Sequence, residues 1–358
     1  MTPSKRVKQW GLGLIIVFAL VAVAFVWLRS SPPKLSAFVL DSSLESSVGV
    51  ESSALDSRAN PALEPSYFTI PNPTPSAHAS SIVALEHTAL SLRDSHTFMA
   101  LFFAGSREGA RDVGIYQSFF VRDSRVSFLA PKPTPKPQHW SAPREILTPA
   151  LLSHLSGKFI AKLGNPVSFV DSRGRVHLFV VGVSLGGWAT SRVYWLEFDK
   201  TLEHLHFRQE LALSPFANLS FLVRSSALLL EDGGFILPLY HELARKYPLL
   251  LHFDSTLKLD SITKPLPTIG AKAHSKLQPS FTPLSATKAI GVYRSYTPSP
   301  MQVSLCELAP LSKPKQLRCQ PPKPSNLINY NSSSVLFSTN GVVFLLHNTP
   351  PKSLHTPS

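Results

Sequence analysis

Charge is scarce in this chain. Only 16% of residues are charged against 44% hydrophobic, which excludes a disordered polyelectrolyte. Cysteine is almost missing: Cys306 and Cys319 stand alone, with no Cys or His partners spaced around them, so a metal site is not expected. Acids are few, 22 Asp and Glu against 35 Lys and Arg, for a net charge of +13. The cations form no dense block interleaved with aromatics, which argues against nucleic acid as a partner. They are either simply scattered or they attract anionic ligands and membrane surfaces. Nucleotide, flavin and metal motifs are missing too, and no cofactor is expected. What is abundant is proline, 32 residues, which with 17 glycines fits many turns between short strands.

Lys5, Arg6 and Lys8 precede an uncharged apolar run from Trp10 to Leu28. As a helix the run spans about 28 Å, enough for a hydrocarbon core. Trp10 and Trp27 lie near its ends, where interfacial rings belong. The reading is a cytoplasmic basic segment over 1–9 and a transmembrane signal anchor over 10–28. A cleaved signal peptide is the alternative, and either one exports the main domain, to the periplasm or the outside. Residues 29–74, rich in Ser and Pro, read as a stalk. A β domain follows over 75–348, then a polar tail over 349–358.

Within the β domain several apolar hairpins share one design. Val167–Val170 turns at Asp171-Ser172-Arg173-Gly174, Ser226–Leu230 at Glu231-Asp232-Gly233-Gly234, and Ser334–Phe337 at Thr339-Asn340-Gly341. Asp or Asn with Gly supplies the positive φ of tight hairpins. Pro279–Arg294 is a similar unit, with Ser285-Ala286-Thr287 at its turn. Between these lie second hairpins. Phe198-Asp199-Lys200-Thr201-Leu202 returns about 55 residues later as Phe253-Asp254-Ser255-Thr256-Leu257. A period of that length predicts four-stranded blades stacked into an all-β propeller, because a blade buries both faces only against its neighbours. Four blades are expected near 78–142, 165–210, 223–263 and 279–320, with a fifth begun at 333. A β-sandwich is the rival architecture. Cys306 and Cys319 fall on two strands of one hairpin, either as a cross-strand disulfide or as two independent thiols.

The order of short segments resembles the bacterial sialidase-like proteins with BNR, or Asp-box, repeats. These segments are His78-Ala79-Ser80-Ser81, Phe103–Gly109 with Asp112–Ile115, Gly164-Asn165-Pro166-Val167, Gly187-Trp188, Val223-Arg224, Leu237–Glu242, Gln278-Pro279-Ser280 with Tyr293-Arg294-Ser295, Pro324-Ser325-Asn326 and His347-Asn348. The resemblance implies a six-bladed sialidase-type propeller, incomplete at the C-terminus and preceded here by the transmembrane helix. It implies a glycan substrate, and cleavage of terminal sialic acid or a related acidic sugar. Non-catalytic glycan binding, or an inactive shortened homologue, are the alternatives. Three departures stand out. The Asp-boxes keep Asp199 and Asp254 but lose their Gly and Trp. His78 stands where the family has an early Arg. The late blades that carry a further Arg and the Tyr nucleophile would lie beyond Ser358.

An acidic sugar needs cations on its carboxylate, an acid for the leaving oxygen and a nucleophile with its base. Arg224, opening one strand, and Arg294, closing another, are the expected carboxylate clamp; a solvated strand end is the competing account of each. Glu108 is a candidate acid or an Arg-orienting group, or else a turn residue paired with Arg107 or Arg111. Asp112 is a second candidate acid, or the start of a strand. Glu242 is a candidate base or hydroxyl binder, or a surface acid. Arg107, His78, Asn165, Trp188 and Tyr240 complete the expected substrate-binding set. Their bland alternatives are a turn cation, a structural His, a turn cap, a packed loop aromatic and a strand residue.

Overall fold

The computed structural model describes residues 16–22, 37–39, 67–85, 88, 96–121, 138–215, 217–244, 246–266, 276–308, 317–330, 332–339 and 342–348. Four antiparallel sheets follow one another along the chain. The first joins β1 (Ser76–Ala84), β2 (His96–Gly105), β3 (Gly114–Val121), β4 (His139–Trp140) and β5 (Arg144–Leu147). The second is β6 (Lys162–Val170), β7 (Val176–Val183), β8 (Ser191–Phe198) and β9 (Leu205–Glu210). The third has β10 (Phe221–Val223) and β11 (Leu228–Leu229) on β12 (Phe235–His241), then β13 (Tyr247–Phe253) and β14 (Leu259–Thr263). The fourth is β15 (Lys276–Pro283), β16 (Lys288–Ser295), β17 (Pro300–Leu308), β18 (Leu317–Cys319) and β19 (Lys323–Ile328). A hairpin of β20 (Val335–Thr339) and β21 (Val342–Leu346) comes last.

Each sheet packs on the next in chain order: β1 on β6, β6 on β10, β11 and β12 on β15, β15 on β20. This is a propeller-like stack of four blades, and sequential stacking of separate sheets is not a two-layer sandwich. The six blades implied by the resemblance are corrected to four, plus one hairpin, among the described residues. Because a central blade is covered on both faces, its strands need no polar alternation. Every residue of β7 is buried. Phe169, Phe179, Trp195, Phe235 and Phe253 fill the seam between blades two and three. Serines on the inner strands tie neighbouring blades together. Ser81 Oγ accepts from the Ser168 N–H at 3.0 Å, Ser226 Oγ donates to the Ser168 carbonyl at 3.2 Å, and Ser280 Oγ accepts from Leu336 N–H at 3.0 Å.

At one end of the blades the turns are held by Asp side chains. Asp171 Oδ1 accepts from the N–H groups of Arg173 and Arg175, both at 2.9 Å, and Gly174 takes φ 73°. The repeated Phe-Asp-x-Thr-Leu segments form the same turn twice. Asp199 Oδ2 takes the Thr201 hydroxyl at 2.8 Å and Asp254 Oδ1 takes that of Thr256 at 2.7 Å, with Leu202 and Leu257 left-handed at φ 57° and 67°. The degraded Asp-boxes therefore keep the part that closes the turn. The Asn340-Gly341 turn lies outside the described residues.

Two expectations for the N-terminal part change. Among the described residues no helix is long and apolar enough to cross a membrane. Of the 10–28 run the structure describes residues 16–22, as helix. The anchored, exported placement is corrected on that finding; the rest of the run lies outside the described residues. Within the expected stalk, residues 37–39 are built into the body. Phe38 bridges Leu230, its N–H donates to Ala286 O at 2.9 Å, and its fully buried ring sits in the seam between blades three and four. Cys306 and Cys319 stand directly opposite in β17 and β18 and are joined by a disulfide.

Candidate functional site

The strand registers place every residue singled out from the sequence for binding or catalysis towards one end of the blades, opposite the Asp turns. Ser76 pairs with Gly105 there, Lys162 with Val183, Phe221 with His241, and Lys276 with Ser295. The inner strands share a further device. In β1, β6 and β15 the ladder slips between His78 and Ser81, Gly164 and Val167, and Leu277 and Ser280. Each slip sets two residues against one, and its first residue, Ala79, Asn165 or Gln278, has left-handed φ of 55°, 41° or 47°. In blade three the pairing breaks at the same place. Val223 pairs with Leu239 and pairing resumes at Leu228 with Ile236, which sets four residues, Arg224 first, against two, with no left-handed residue among them. Bulges re-aim side chains, and such positions collect next to active sites.

Three of the expected residues, Arg224, Arg294 and Glu242, act on the phenol of a fourth, Tyr240. Tyr240 is fully buried, and burial pushes its hydroxyl up to about 12; Glu242 pushes the same way, while a hydrogen bond from Gln278 and the charges of Arg294 and Arg224 pull it back. Arg224 is half-buried, and burial lowers its pKa against the pull of Tyr240. Its Nη1 donates to Ser80 O in the β1 bulge at 3.0 Å, so one guanidinium reaches from blade three to blade one. Arg294 Nε and Gln278 Oε1 are buried without a hydrogen-bond partner. Among the described residues neither Arg224 nor Arg294 forms an ion pair. Glu242 is half-buried, its N–H donating to Ser220 O at 3.1 Å.

His78 and Trp188 lie near the inner strands. His78 stacks on Phe103, with ring centroids 5.6 Å apart, and takes a 2.9 Å hydrogen bond with Ser76 Oγ. It lines a cavity of about 310 Å³ with Ala79, Ser80, Phe102 and the segment 70–72. Trp188, 39% exposed, lies over Gly164, where a Cβ would come within 2.8 Å of the ring. That close approach is why residue 164 is Gly, and it leaves the indole beside Asn165. Arg107, Glu108 and Asp112 stand exposed on the loop between β2 and β3. Asp112 accepts from Ser106 Oγ and N–H, both at 3.0 Å, which holds its carboxyl below the usual range. Among the described residues no hydrogen bond or ion pair joins this loop to the Tyr240 group. Sequence reasoning passed over Gln278 as a site residue, although the Asn165-Pro166 and Gln278-Pro279 pairs already marked equivalent bulges.

Stacked antiparallel blades with a polar inner end define a β-propeller-like protein. The chain belongs to the BNR repeat-like domain family, whose model matches residues 96–355. No curated protein matches it. Among solved structures it is similar to the Hadza microbial sialidase Hz136, with TM-score 0.52 at 9% identity over 75% of this chain and 52% of that one. The chain thus spans about half of that relative's length, and the likeness shows the fold alone. A protein of unknown function from Dyadobacter fermentans gives TM-score 0.45 at 9% identity, covering 73% of this chain and 71% of that one. A thermostable family-43 glycoside hydrolase gives 0.44 at 9% identity, covering 77% and 86%.

Proposed function

We propose that this protein is a glycosidase of sialidase type that takes a terminal acidic sugar and cleaves its glycosidic bond. The observation that carries the reading is a pair of guanidinium groups, Arg224 and Arg294, whose charges both act on buried Tyr240 and which form no ion pair among the described residues. Leaving half-buried cations unpaired costs stability, so such a pair is kept for a ligand that supplies the missing anion. A sugar carboxylate accepts two parallel N–H bonds from each guanidinium. Family membership and the sialidase fold support the glycan part of the reading.

In this reading Arg224 and Arg294 orient the carboxylate, Trp188 stacks on the ring, and His78, Asn165 and Arg107 contact its substituents. Water forms the new C–O bond at the anomeric carbon and yields its proton to Glu242, while Glu108 gives its proton to the leaving oxygen as the glycosidic C–O bond breaks. Asp112 drops out as an acid, because its bonds to Ser106 favour the ionised form. Release of a reporter phenol from an α-sialoside by the full chain tests the reading, with loss in Arg224→Ala and Arg294→Ala expected. No release by a folded sample rules out hydrolysis of that sugar. A binding-only propeller is favoured by one observation, the buried high-pKa Tyr240, and predicts sialoside retention without release.

A further inference from the structure

Three inner strands carry a left-handed bulge at an equivalent place, Ala79, Asn165 and Gln278, and in blade three Arg224 is the first residue after the last pair before the ladder breaks. A left-handed backbone is unfavourable for an ordinary side chain, so repeating it at Ala79, Asn165 and Gln278 needs a return. Proline follows in two cases, Pro166 and Pro279, where the missing N–H suits a position outside the ladder. At the neighbouring break in blade three, the Arg224 side chain reaches the Ser80 carbonyl in the β1 bulge.

We propose that Gln278 is a ligand-contacting residue that reads a sugar hydroxyl, and that it does so together with Arg294. This rests on the glycan reading above. Gln278 Oε1 is a buried acceptor without a donor, and Arg294 Nε is a buried donor without an acceptor. Both side chains act on Tyr240, and Arg294 pairs with Leu277, the neighbour of Gln278. One hydroxyl satisfies both, donating to Oε1 and accepting from Nε. A carboxylate satisfies only the donor, and an ammonium only the acceptor. The remaining N–H groups of Arg294 stay available to the sugar carboxylate. The ligand is thus a polyol that carries an anionic group, and Gln278 belongs to its neutral part. Ala79, the smallest of the three bulge residues, lies where the cavity beside His78 opens.

The test titrates three probes into the full chain: N-acetylneuraminic acid, methyl β-galactoside and pyruvate, which has the carboxylate without the ring. Gln278→Ala is expected to weaken the sugar acid about five- to tenfold and to leave pyruvate unchanged. Gln278→Asn tolerates the left-handed backbone, so it separates lost contact from lost fold; it should lose affinity for the sugar acid at an unchanged melting temperature. Unchanged sugar-acid affinity in both variants overturns the proposal, as does an equal loss for pyruvate. Wild-type binding of the galactoside alone, weakened in Gln278→Ala, upholds the hydroxyl reader and sinks the carboxylate site. Wild-type binding of none of the three overturns both.

Discussion

Two buried polar clusters at opposite ends of the blades have opposite balances of donors and acceptors. At the base of blade two, Asp171 receives two backbone N–H groups on Oδ1, and Arg175 at 2.7 Å and His177 Nε2 at 3.1 Å on Oδ2. Trp195 Nε1 donates to His177 Nδ1 at 3.2 Å, which leaves Nε2 to carry the proton toward Asp171. Burial raises the Asp171 pKa, but the bonds from His177 and Arg175 outweigh it and hold the carboxyl well below the usual range. Around Tyr240, by contrast, a donor and an acceptor are buried unpaired, and among the described residues neither arginine forms an ion pair. The first cluster is complete and serves the fold. The second has unpaired groups among the described residues, and in the proposed reading a ligand completes it.

Substitutions separate the two. Asp171→Asn breaks a buried network and is expected to cost about 3–5 kcal/mol in chemical denaturation, with ligand affinity of the folded fraction unchanged. Its pH signature has a definite sign. A depressed folded-state pKa gives stability that is present above the unfolded value near 3.8 and lost as pH falls through the lower folded value. The variant should therefore lose most at neutral pH and show a flatter acid limb, and an unchanged limb would break the comparison.

Phe38→Ala empties the seam between blades three and four and should cost about 3 kcal/mol, read the same way; a neutral result would mean the 37–39 strap is not part of the body. Arg294→Met should leave melting unchanged or raise it, while sialoside affinity falls at least about tenfold. A drop in melting temperature would make Arg294 structural. Smallest are Asp199→Ala and Asp254→Ala, about 1 kcal/mol each by denaturation, because each removes one turn-closing side chain. Unequal losses would show that the two repeats are not the same device.

The fold was largely legible because its local chemistry repeats. Asp-Gly turns and the Phe-Asp-x-Thr-Leu segment fix hairpins that need no distant partner, and the blade limits follow. The hairpin pattern also gives the four blades and the begun fifth that the structure describes; the count of six comes from the resemblance and not from the strands. The anchor at 10–28 rests on hydropathy alone, and among the described residues no helix is long and apolar enough to cross a membrane. Phe38 escaped because one aromatic in a Ser-rich segment has no period to reveal it. At the site, Arg224 and Arg294 were picked as strand-end cations, and the structure adds that the charges of both act on Tyr240. Gln278 escaped because a neutral amide in a strand carries no chemistry until a bulge and an unpaired oxygen give it a place.

The central claim is that the arginines acting on Tyr240 form no ion pair among the described residues because a sugar carboxylate provides the counter-ion. Calorimetric titration of N-acetylneuraminic acid into the full chain and into Arg224→Met and Arg294→Met is the direct test. The account predicts binding by the wild-type chain, weakened by high salt, and a loss of at least about tenfold in both variants without loss of melting temperature. Equal affinity in all three proteins, at any salt concentration, would contradict it.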